Sequence, residues 1–592
     1  MLKAPSFRAS ILLGCLAALF LAAPLFVGPY GLKFVTRLVV FSTLVVSLDF
    51  LLGLAGLVSF GHAAFFGVGA YAVYFVSPEA ASANALLALG AAIAASAAVA
   101  LAIGAFACLT RGFYFIMVTL AAGQMIFSLF HDTDIAGGSD GAYINVKPAL
   151  AAFGSGLLDF DDRRTFYYVC LALLVLSVLA LSLLARTPFG RVVQALKANE
   201  MRLSALGFDI YKFKLAAFAV SGAVAGLAGG LFACIDGFVT PELFSWHESG
   251  LAIMMVVLGG AGTLFGPILG ALAYISLEET LKSASLVGDL VASHWRLGTG
   301  ASLIVAVLLS PGGLAGFFRG AARTRKPTPA RLGQAPLESR KAATLATENL
   351  TRTFGGLRAV DGVTVSFERD RVHAIIGPNG AGKTTFTNLL SGALKPSAGE
   401  VLVDGRNVAG WPAHRIARRG VGRSFQRTNI FPAFTIEDNC RLAAQATHPS
   451  VLRLANSRRA QEDTLVQHAL AVVGLADRTQ AIAGAISNGE QRQLEIAMLI
   501  ASGGGILILD EPLAGMGPEE TRRVIDLLLA LKPNHTIVLI EHDMDAVFAV
   551  ADTLTVLALG RVIAHGTPEE VRRDEAVIAA YLGGHAPRGA RP

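Results

Sequence analysis

The sequence predicts a multi-domain protein, in which an N-terminal polytopic α-helical membrane domain of eight to ten spans precedes a C-terminal α/β domain. Residues 9–318 hold repeated apolar runs that are long enough to cross a bilayer. Residues 341–585 have the mixed composition of a soluble α/β domain. That second half contains Gly377-Pro-Asn-Gly-Ala-Gly-Lys-Thr-Thr385, which fits the phosphate-loop pattern G-x-x-x-x-G-K-[ST] without a mismatch.

Composition sets the domain boundaries. The chain has 592 residues, of which 54% are hydrophobic and 16% charged, too apolar for a soluble enzyme of this size. We expect a transmembrane domain at 1–318, an exposed and flexible basic cytoplasmic linker at 319–344, a nucleotide-binding domain at 345–585 and a flexible tail at 586–592. The net charge of +6 needs no nucleic-acid partner, because much of the excess lies in the loops and linker of the first half.

Nine apolar runs in the first half are candidate spans. The eighth would be roughly 51 Å long as one helix, too long for a single crossing, and its middle, 259–267, is rich in Gly and contains Pro267. We therefore expect two short helices that meet there. The runs are 11–27, 34–52, 56–76, 84–109, 113–130, 165–185, 214–235, 248–281 and 301–318.

Charge predicts the orientation of these spans. The loop 186–214 is basic and reads as cytoplasmic, whereas the loop 131–164 is mostly acidic and reads as external. The linker must be cytoplasmic because the nucleotide-binding domain needs ATP. An uncleaved first span with the N-terminus inside is favoured over a cleaved signal peptide, since no small-residue cleavage site precedes Pro29. Both ends inside requires an even number of crossings, either ten or eight.

Three polar residues within the apolar runs have two interpretations each. Asp49 is the most costly, because a carboxylate in the bilayer needs a partner or water. His62 follows a break of small residues, and Gln124 lies in the middle of a run. Each could line a translocation path, and each could equally make hydrogen bonds between helices.

The five cysteines show no metal-binding or redox spacing. None belongs to a CxxC pair or lies beside a histidine, and four lie in apolar runs. We infer no disulfide and no metal site from them. They are Cys15, Cys108, Cys170, Cys234 and Cys440.

The phosphate loop predicts ATP binding. An apolar strand-like run at 372–376 precedes it and a helix-like run at 385–390 follows it, which is the context that such a loop requires. Backbone N–H groups and the helix N-terminus then face the phosphates, a lysine reaches the terminal phosphates, and a hydroxyl can bind Mg²⁺. A plain glycine-rich turn is the alternative. The predicted nucleotide ligands are Gly377, Asn379, Gly380, Gly382, Lys383, Thr384 and Thr385.

Further polar residues complete the predicted site. The strand-like run 506–509 ends in Asp510 and Glu511, which fit a magnesium-organising aspartate and the carboxylate that polarises the attacking water. Gln426 and His542 complete a polar set around the γ-phosphate, with Gln426 also a predicted magnesium ligand beside Thr384 and Asp510.

Two weaker candidates lie on either side of these motifs. The segment that contains Ser487, Gly489 and Gln491 opens a helix and could present a phosphate site, although alone it is only a good helix cap. Phe354, on a predicted strand at 345–354 that precedes another at 363–367, could stack on adenine or belong to the core.

In order and rough spacing, these motifs resemble those of ABC-transporter ATPases. The strings RSFQRTNIFP, QRQLEIAMLIA, DEPLAGMGPEET and IEHDMD are similar to the ATPase of branched-chain amino-acid importers, over 345–585. The strings GLAGLVSFGHAAFFGVGAYA, RGFYFIMVTLAAGQ and AGGSDG resemble the permease of the same importers, over roughly 30–318. The signature differs from the most common Leu-Ser-Gly-Gly-Gln, and Asp49 stands where we would expect a neutral residue.

The resemblance implies a bacterial inner-membrane importer subunit, with a permease fused to an ATPase. Such ATPases work in pairs, so it implies a second permease and a second ATPase, or a homodimer. It also implies a periplasmic substrate-binding protein, contact with membrane lipid and a small amino-acid substrate. The basic loop 186–214, with Ala198-Asn-Glu200 and Gly207, resembles a coupling helix that docks on the ATPase.

Three alternatives stay open. The first is a related importer of urea, short amides or aromatic acids. The second is an ABC exporter, which the permease-like strings argue against. The third is a membrane-tethered regulatory ATPase, which the number of spans argues against. The sequence does not reveal which solute is carried.

Overall fold

The computed structural model describes residues 7–152, 155–283, 292–318, 343–455 and 457–582. The chain forms two compact units. The first unit comprises 1–197 and 211–322, and the second comprises 198–210 and 323–592. Residues 319–342, most of the predicted flexible linker, and the predicted tail at 586–592 lie outside the described residues.

The first unit is built from long apolar helices. Among the residues described, six helices are both long and apolar enough to cross a membrane, and shorter apolar helices accompany them. This agrees with the predicted polytopic helical domain. The helices are α1 (Phe7–Phe26), α2 (Pro29–Asp49), α3 (His62–Val76), α4 (Ala85–Ala107), α5 (Phe113–His131), α6 (Arg163–Arg186), α7 (Pro188–Ala198), α9 (Ile210–Asp236), α10 (Trp246–Gly259), α11 (Gly266–Lys282) and α12 (Trp295–Leu309), while α8 (Glu200–Leu206) belongs to the second unit.

Glycine explains the ends of two predicted spans. The predicted break in the run 248–281 is confirmed, because α10 ends at Gly259 and α11 begins at Gly266. The predicted span 56–76 is wrong at its start, because the helix begins at His62. Gly56 has φ +75°, a left-handed conformation that a continuing right-handed helix does not accept.

Asp49 connects α2 to the loop between α10 and α11. The helix continues past Asp49 as a π-helical turn, Phe50–Leu54. The fully buried carboxylate accepts hydrogen bonds from Gly262 N at 2.6 Å and Leu264 N at 2.9 Å. Buried non-helical backbone needs such partners, because its N–H groups are shielded from water. Of the two interpretations of Asp49, the geometry favours the hydrogen-bonding one.

The other two polar residues have different surroundings. His62 is fully buried, and its Nε2 lies 2.9 Å from the hydroxyl of Ser47 on α2. Gln124 on α5 lines a cavity of about 390 Å³. Short strands lie on the external side predicted for the loop 131–164. They are β1 (Ala142–Tyr143), paired with β4 (Phe238–Val239), and β2 (Ala149–Ala152), paired with β3 (Ser155–Asp159).

The second unit contains two sheets. The larger has the strand order β10-β11-β12-β7-β13-β14, parallel except for the last pair, and the smaller is antiparallel with the order β6-β5-β8-β9. The predicted strand at 363–367 is longer than expected, because pairing with β5 extends it to Leu357. The strands are β5 (Leu345–Phe354), β6 (Leu357–Phe367), β7 (Val372–Ile376), β8 (Ala398–Val403), β9 (Arg406–Asn407), β10 (Val421–Arg423), β11 (Ile506–Asp510), β12 (Thr536–Ile540), β13 (Thr553–Ala558) and β14 (Arg561–Gly566).

Helices cover the larger sheet, as its buried strands require. Every residue of β7, β11 and β12 is buried, which matches their continuous apolar sequences. The helices are α13 (Lys383–Leu390), α14 (Ala413–Arg418), α15 (Ile436–Gln445), α16 (Arg459–Val472), α17 (Asn488–Ala501), α18 (Pro518–Leu531), α19 (Met544–Val550), α20 (Pro568–Arg572) and α21 (Glu575–Leu582).

Replacing Asp49 by alanine tests its role as a connection between distant segments. Asp49→Ala leaves two buried backbone N–H groups without an acceptor, so we expect the free energy of unfolding to fall by about 2–5 kcal/mol. Asp49→Asn keeps one acceptor oxygen and should lie between alanine and wild type. Thermal unfolding of the full-length chain in detergent measures the effect.

Ser42→Ala is the matched control, because Ser42 is equally buried on α2 but bonds only to Leu38 O within its own helix. Equal stability of Asp49→Ala and Ser42→Ala would contradict the assigned role.

Candidate nucleotide-binding site

The phosphate loop joins β7 to α13. It begins directly after Ile376, and α13 begins at Lys383, so the backbone N–H groups at the start of the helix face the loop. Gly382, the helix cap, has φ +99°, and a Cβ there would collide with the carbonyl of Ala359. The loop therefore requires glycine at this position. Asn379, Gly380 and Thr384 are exposed, and can be reached by a ligand.

Lys383 lies within the loop that it serves. Its Nζ donates hydrogen bonds to Gly377 O at 2.5 Å and Pro378 O at 3.1 Å. Burial lowers the pKa of the Lys383 amine, while the carboxylates of Glu511 and Asp510 act in the opposite direction. The amine thus lies among the loop carbonyls and near both acids, where a cation can bind terminal phosphates.

Strand order explains why distant motifs meet. The strands β10, β11, β12 and β7 are parallel neighbours, so their carboxyl ends lie at one edge of the sheet. Gln426 follows β10, Asp510 and Glu511 lie at the end of β11, His542 follows β12, and the phosphate loop follows β7. Ligands of open α/β sheets bind at such an edge.

Glu511 is the centre of the polar set. Gln426 Nε2 donates to both of its carboxylate oxygens at 3.2 Å, and His542 Nε2 lies 2.8 Å from Oε1. Its backbone has φ +49°, an uncommon conformation for a residue other than glycine. Local strain of this kind is often found at functional sites. The structure brings the three predicted catalytic residues together.

Asp510 lies beside a buried arginine. Arg423 Nη2 is 3.6 Å from the Asp510 carboxylate. The backbone N–H of Asp510 donates to the Ser424 hydroxyl at 2.9 Å. Burial raises the pKa of Asp510, and Arg423 opposes this shift. The donors for a magnesium ion at this edge are the Asp510 carboxylate and the exposed Thr384 hydroxyl, hard oxygens of the type that Mg²⁺ prefers.

The segment of Ser487, Gly489 and Gln491 forms a helix cap of its own. The Ser487 hydroxyl accepts from Glu490 N at 3.2 Å, the Glu490 carboxylate accepts from Ser487 N at 2.9 Å, and Gln491 Nε2 donates to Ile486 O at 3.3 Å. Across the described part of the second unit, none of these bonds reaches the phosphate loop. Ser487 is exposed at the start of α17, so it is open to a ligand presented by another molecule.

Phe354 lies at the end of β5 and is 45% exposed, so the interpretation as a core residue is wrong. The guanidinium of Arg352 lies 4.7 Å from the centre of its ring. Stacking of Phe354 on adenine stays a prediction. Thr385 lies in the first turn of α13.

Sequence reasoning missed a buried charged network that joins α8 to the site. Arg202 of α8 is fully buried, and donates to Arg423 O at 2.9 Å and Glu495 O at 3.3 Å. The Arg202 guanidinium is 3.5 Å from the Glu495 carboxylate. Burial raises the pKa of Glu495, and the charges of Arg202 and Arg492 act in the opposite direction. Asn199 donates to Asn429, and Arg418 to Gly207 O.

The same network holds the backbone around Gln426. Arg492 donates to Phe425 O at 2.7 Å, to Gln426 O and to the Glu495 carboxylate at 2.9 Å. Phe425 N donates to Glu495 at 3.2 Å. The available sequence signal was the presence of charged Arg492 and Glu495 on an otherwise apolar helix.

Sequence models of known families match both halves of the chain. The branched-chain amino acid transport system permease component matches residues 31–309. The ABC transporter model matches residues 360–514, and that of the branched-chain amino acid ATP-binding cassette transporter matches 561–587.

Characterised relatives match the second half. The high-affinity branched-chain amino acid transport ATP-binding protein BraF of Pseudomonas aeruginosa is 41% identical over 249 residues, which is 40% of this chain and 97% of BraF. LivG of Escherichia coli, with the same description, is 39% identical over 248 residues, covering 40% and 97%. A solved nucleotide-free ATP-binding cassette from an ABC transporter is 27% identical, with TM-score 0.38, and covers 41% of this chain and 99% of that one.

The buried pair of Arg202 and Glu495 can be tested by a double-mutant cycle. Arg202→Met leaves Glu495 without one of its two cations, so we expect the free energy of unfolding to fall by about 3–5 kcal/mol. Glu495→Met alone should also destabilise, because Arg492 and Phe425 N lose an acceptor. The double substitution should cost less than the sum of the two single substitutions, since both remove the same ion pair. Thermal unfolding of the full-length chain is measured for the wild type, the two single variants and the double variant.

Arg561→Met is the control, since Arg561 pairs with Asp361 at 2.7 Å but is 69% exposed. It should cost no more than about 1 kcal/mol. Additive effects of the two methionine substitutions would contradict a coupled buried pair.

Proposed function

Since this chain belongs to the branched-chain amino acid ABC transporter family, we propose that it is a fused permease and ATPase subunit that imports branched-chain amino acids at the cost of ATP. One observation carries the proposal: the permease match at 31–309 and the cassette matches at 360–514 and 561–587 lie in one chain and name one transport system. The bacterial inner membrane is the proposed location. The described apolar helices place the first unit in a membrane.

The cassette holds ATP and positions the hydrolytic residues. The phosphate loop and Lys383 bind the phosphates, and Phe354 stacks on adenine. Thr384, Asp510 and Gln426 would hold Mg²⁺, which would neutralise phosphate charge. Glu511 accepts the hydrogen bond of the attacking water, and His542 and Gln426 orient the Glu511 carboxylate, as their 2.8 and 3.2 Å contacts support.

Coupling between hydrolysis and transport runs through α8. Arg202 donates a hydrogen bond to Arg423 O, at the end of β10, and Gln426 follows three residues later in the chain. Glu495 and Arg492 fix the intervening backbone. A displacement of Gln426 upon contact with the nucleotide therefore moves the attachment point of α8, which the resemblance identifies as a coupling helix.

A complete transporter needs partners. The exposed Ser487 segment serves the nucleotide of a second ATPase, and a second permease completes the pore. A periplasmic binding protein delivers the amino acid. A homodimer of this chain satisfies the same geometry and is the alternative assembly.

The comparisons do not favour an importer of urea, amides or aromatic acids, or an exporter. Both the permease model and the cassette relatives carry the branched-chain description.

Transport is tested by deleting the gene and measuring uptake of labelled leucine, isoleucine and valine. We expect uptake to fall and to return when the wild-type chain is expressed, with dependence on an external binding protein. Unchanged uptake of all three together with lost uptake of urea or an aromatic acid would overturn the substrate assignment.

Two substitutions separate nucleotide binding from hydrolysis. Lys383→Ala should weaken ATP binding, because the phosphates lose a cation. Glu511→Gln should bind ATP normally but hydrolyse it about 10²–10⁴-fold more slowly, since only the carboxylate beside the water is lost. ATP binding and phosphate release in proteoliposomes measure both, with the exposed Glu519→Gln on α18 as control. Wild-type turnover in Glu511→Gln would refute the assigned base.

Stoichiometry is the third expectation. One phosphate loop and one Ser487 segment in the same domain face different partners, so the purified chain alone should show weak ATPase activity. Adding a second permease and a second ATPase should raise it. Native mass measurement decides between assemblies: two copies of the 61.8 kDa chain and nothing else would contradict the heteromeric version.

A further inference from the structure

Two adjoining cavities open within the first unit. Their volumes are about 390 and 440 Å³, and they share His247, Glu248 and Arg296. The larger cavity lies between α2, α10, α11 and α12, and both have the size of small-molecule sites.

In the orientation predicted from the loop charges, the cavities lie at the external ends of these helices. Their lining comes from the first turns of α10 and α12, the early part of α2 and the last turns of α11. The helix α9 starts in the predicted cytoplasmic loop and ends just before α10 begins, so the start of α10 faces the external side. The opposite ends of α10 and α11 meet at the loop that Asp49 holds.

Three charged side chains of the larger cavity, Glu248, Arg37 and Arg296, form no ion pair within the described part of the first unit. Glu248 is half-buried, and no side chain described there donates a hydrogen bond to its carboxylate. Arg37 lies 5.5 Å from the ring centre of Phe41, and Arg296 lies 5.4 Å from that of Trp295. Neither arginine forms an ion pair among the described residues. Charged residues in membrane helices are costly, and commonly mark a ligand path.

An apolar wall adjoins these charges. Leu251, Met254, Met255 and Ile275 line the cavity from α10 and α11, together with Phe34 from α2. Methionine side chains adapt their shape to branched aliphatic groups. Besides His247, six charged side chains line the cavity, of which Lys282 pairs with Glu278 and Glu279 accepts a hydrogen bond from Tyr30. The carboxylate of Glu248 and the two arginines remain beside the flexible apolar surface in a single space.

We propose that this cavity is the external substrate site of the permease, and that it binds the zwitterion of an aliphatic amino acid. Glu248 binds the ammonium group, Arg37 and Arg296 bind the carboxylate, and Leu251, Met254 and Ile275 contact the branched side chain. The inference rests on the proposed function, which it deepens. A zwitterionic lipid headgroup shares the charge pattern, and the binding experiment distinguishes it from an amino acid.

The positions of tryptophan allow a direct binding measurement. The chain has three tryptophans, of which Trp246 and Trp295 line these cavities and Trp411 lies in the second unit. In the Trp411→Phe background, fluorescence therefore reports only on the cavities. The full-length chain in nanodiscs of phosphatidylglycerol is titrated with L-leucine, and with isocaproate, which lacks the ammonium group.

We expect a saturable fluorescence change with leucine and binding of isocaproate that is about 10–100-fold weaker, the value of one charge-assisted hydrogen bond. Glu248→Gln should weaken leucine binding by a similar factor and abolish the preference over isocaproate. Arg296→Gln should weaken both ligands. Glu79→Gln, an exposed acid on the external loop after α3, is the matched control and should change neither.

Three results overturn the proposal. The first is the absence of a saturable fluorescence response to leucine. The second is an unchanged preference for leucine over isocaproate in Glu248→Gln. The third is a response to nanodiscs that contain phosphatidylethanolamine with no response to leucine, which assigns the cavity to lipid. If Glu248→Gln does not fold, Arg296→Gln decides by its effect on both ligands. If leucine does not bind in this cavity but cells that express the wild-type chain still take up leucine, only the site is refuted. If the wild-type chain gives no leucine uptake, the proposed function itself is refuted.

Discussion

The order of four parallel strands is the constraint on which the cassette depends. Because β10, β11, β12 and β7 are neighbours, residues that are more than a hundred positions apart in the chain reach the same edge. A strand inserted between two of them would separate the side chains that they carry. The buried apolar sequences of β7, β11 and β12 require positions inside the sheet, where both faces are covered.

A buried charged network extends from this edge. Arg423 faces Asp510 on one side, and its carbonyl accepts from Arg202 on the other. Arg492 and Glu495 bind the backbone at 425 and 426, so the position of Gln426 depends on the same groups. Buried charges of this kind contribute little net stability compared with apolar packing, but they define one geometry. Such a network is suited to transmit a displacement, because it cannot give way without exposing an unpaired charge.

Local motifs could be predicted from the sequence, and long-range partners could not. The phosphate loop, Asp510, Glu511 and the break at 259–267 are read from a few consecutive residues whose backbone requirements are specific. Arg202 and Glu495 lie 293 positions apart, and their pairing follows only from the tertiary fold. Arg202 therefore appeared to be one more basic residue of a loop. Helix ends were less accurate, as at His62, because apolar composition continues through Gly56 although the helix does not.

The bond between Asp49 and the loop at 262–264 also has a consequence for biogenesis. Its partners lie 213 and 215 positions further along the chain. At a synthesis rate of about 5–20 residues per second, they emerge from the ribosome roughly 10–40 s after Asp49. During that interval the Asp49 carboxylate on α2 lacks the two backbone N–H groups that donate to it. Stable insertion of α2 therefore depends on the later arrival of α10 and α11, or on assistance until they arrive. The membrane domain is thus completed by its late helices, and a chain truncated before them leaves its second helix incompletely accommodated in the bilayer.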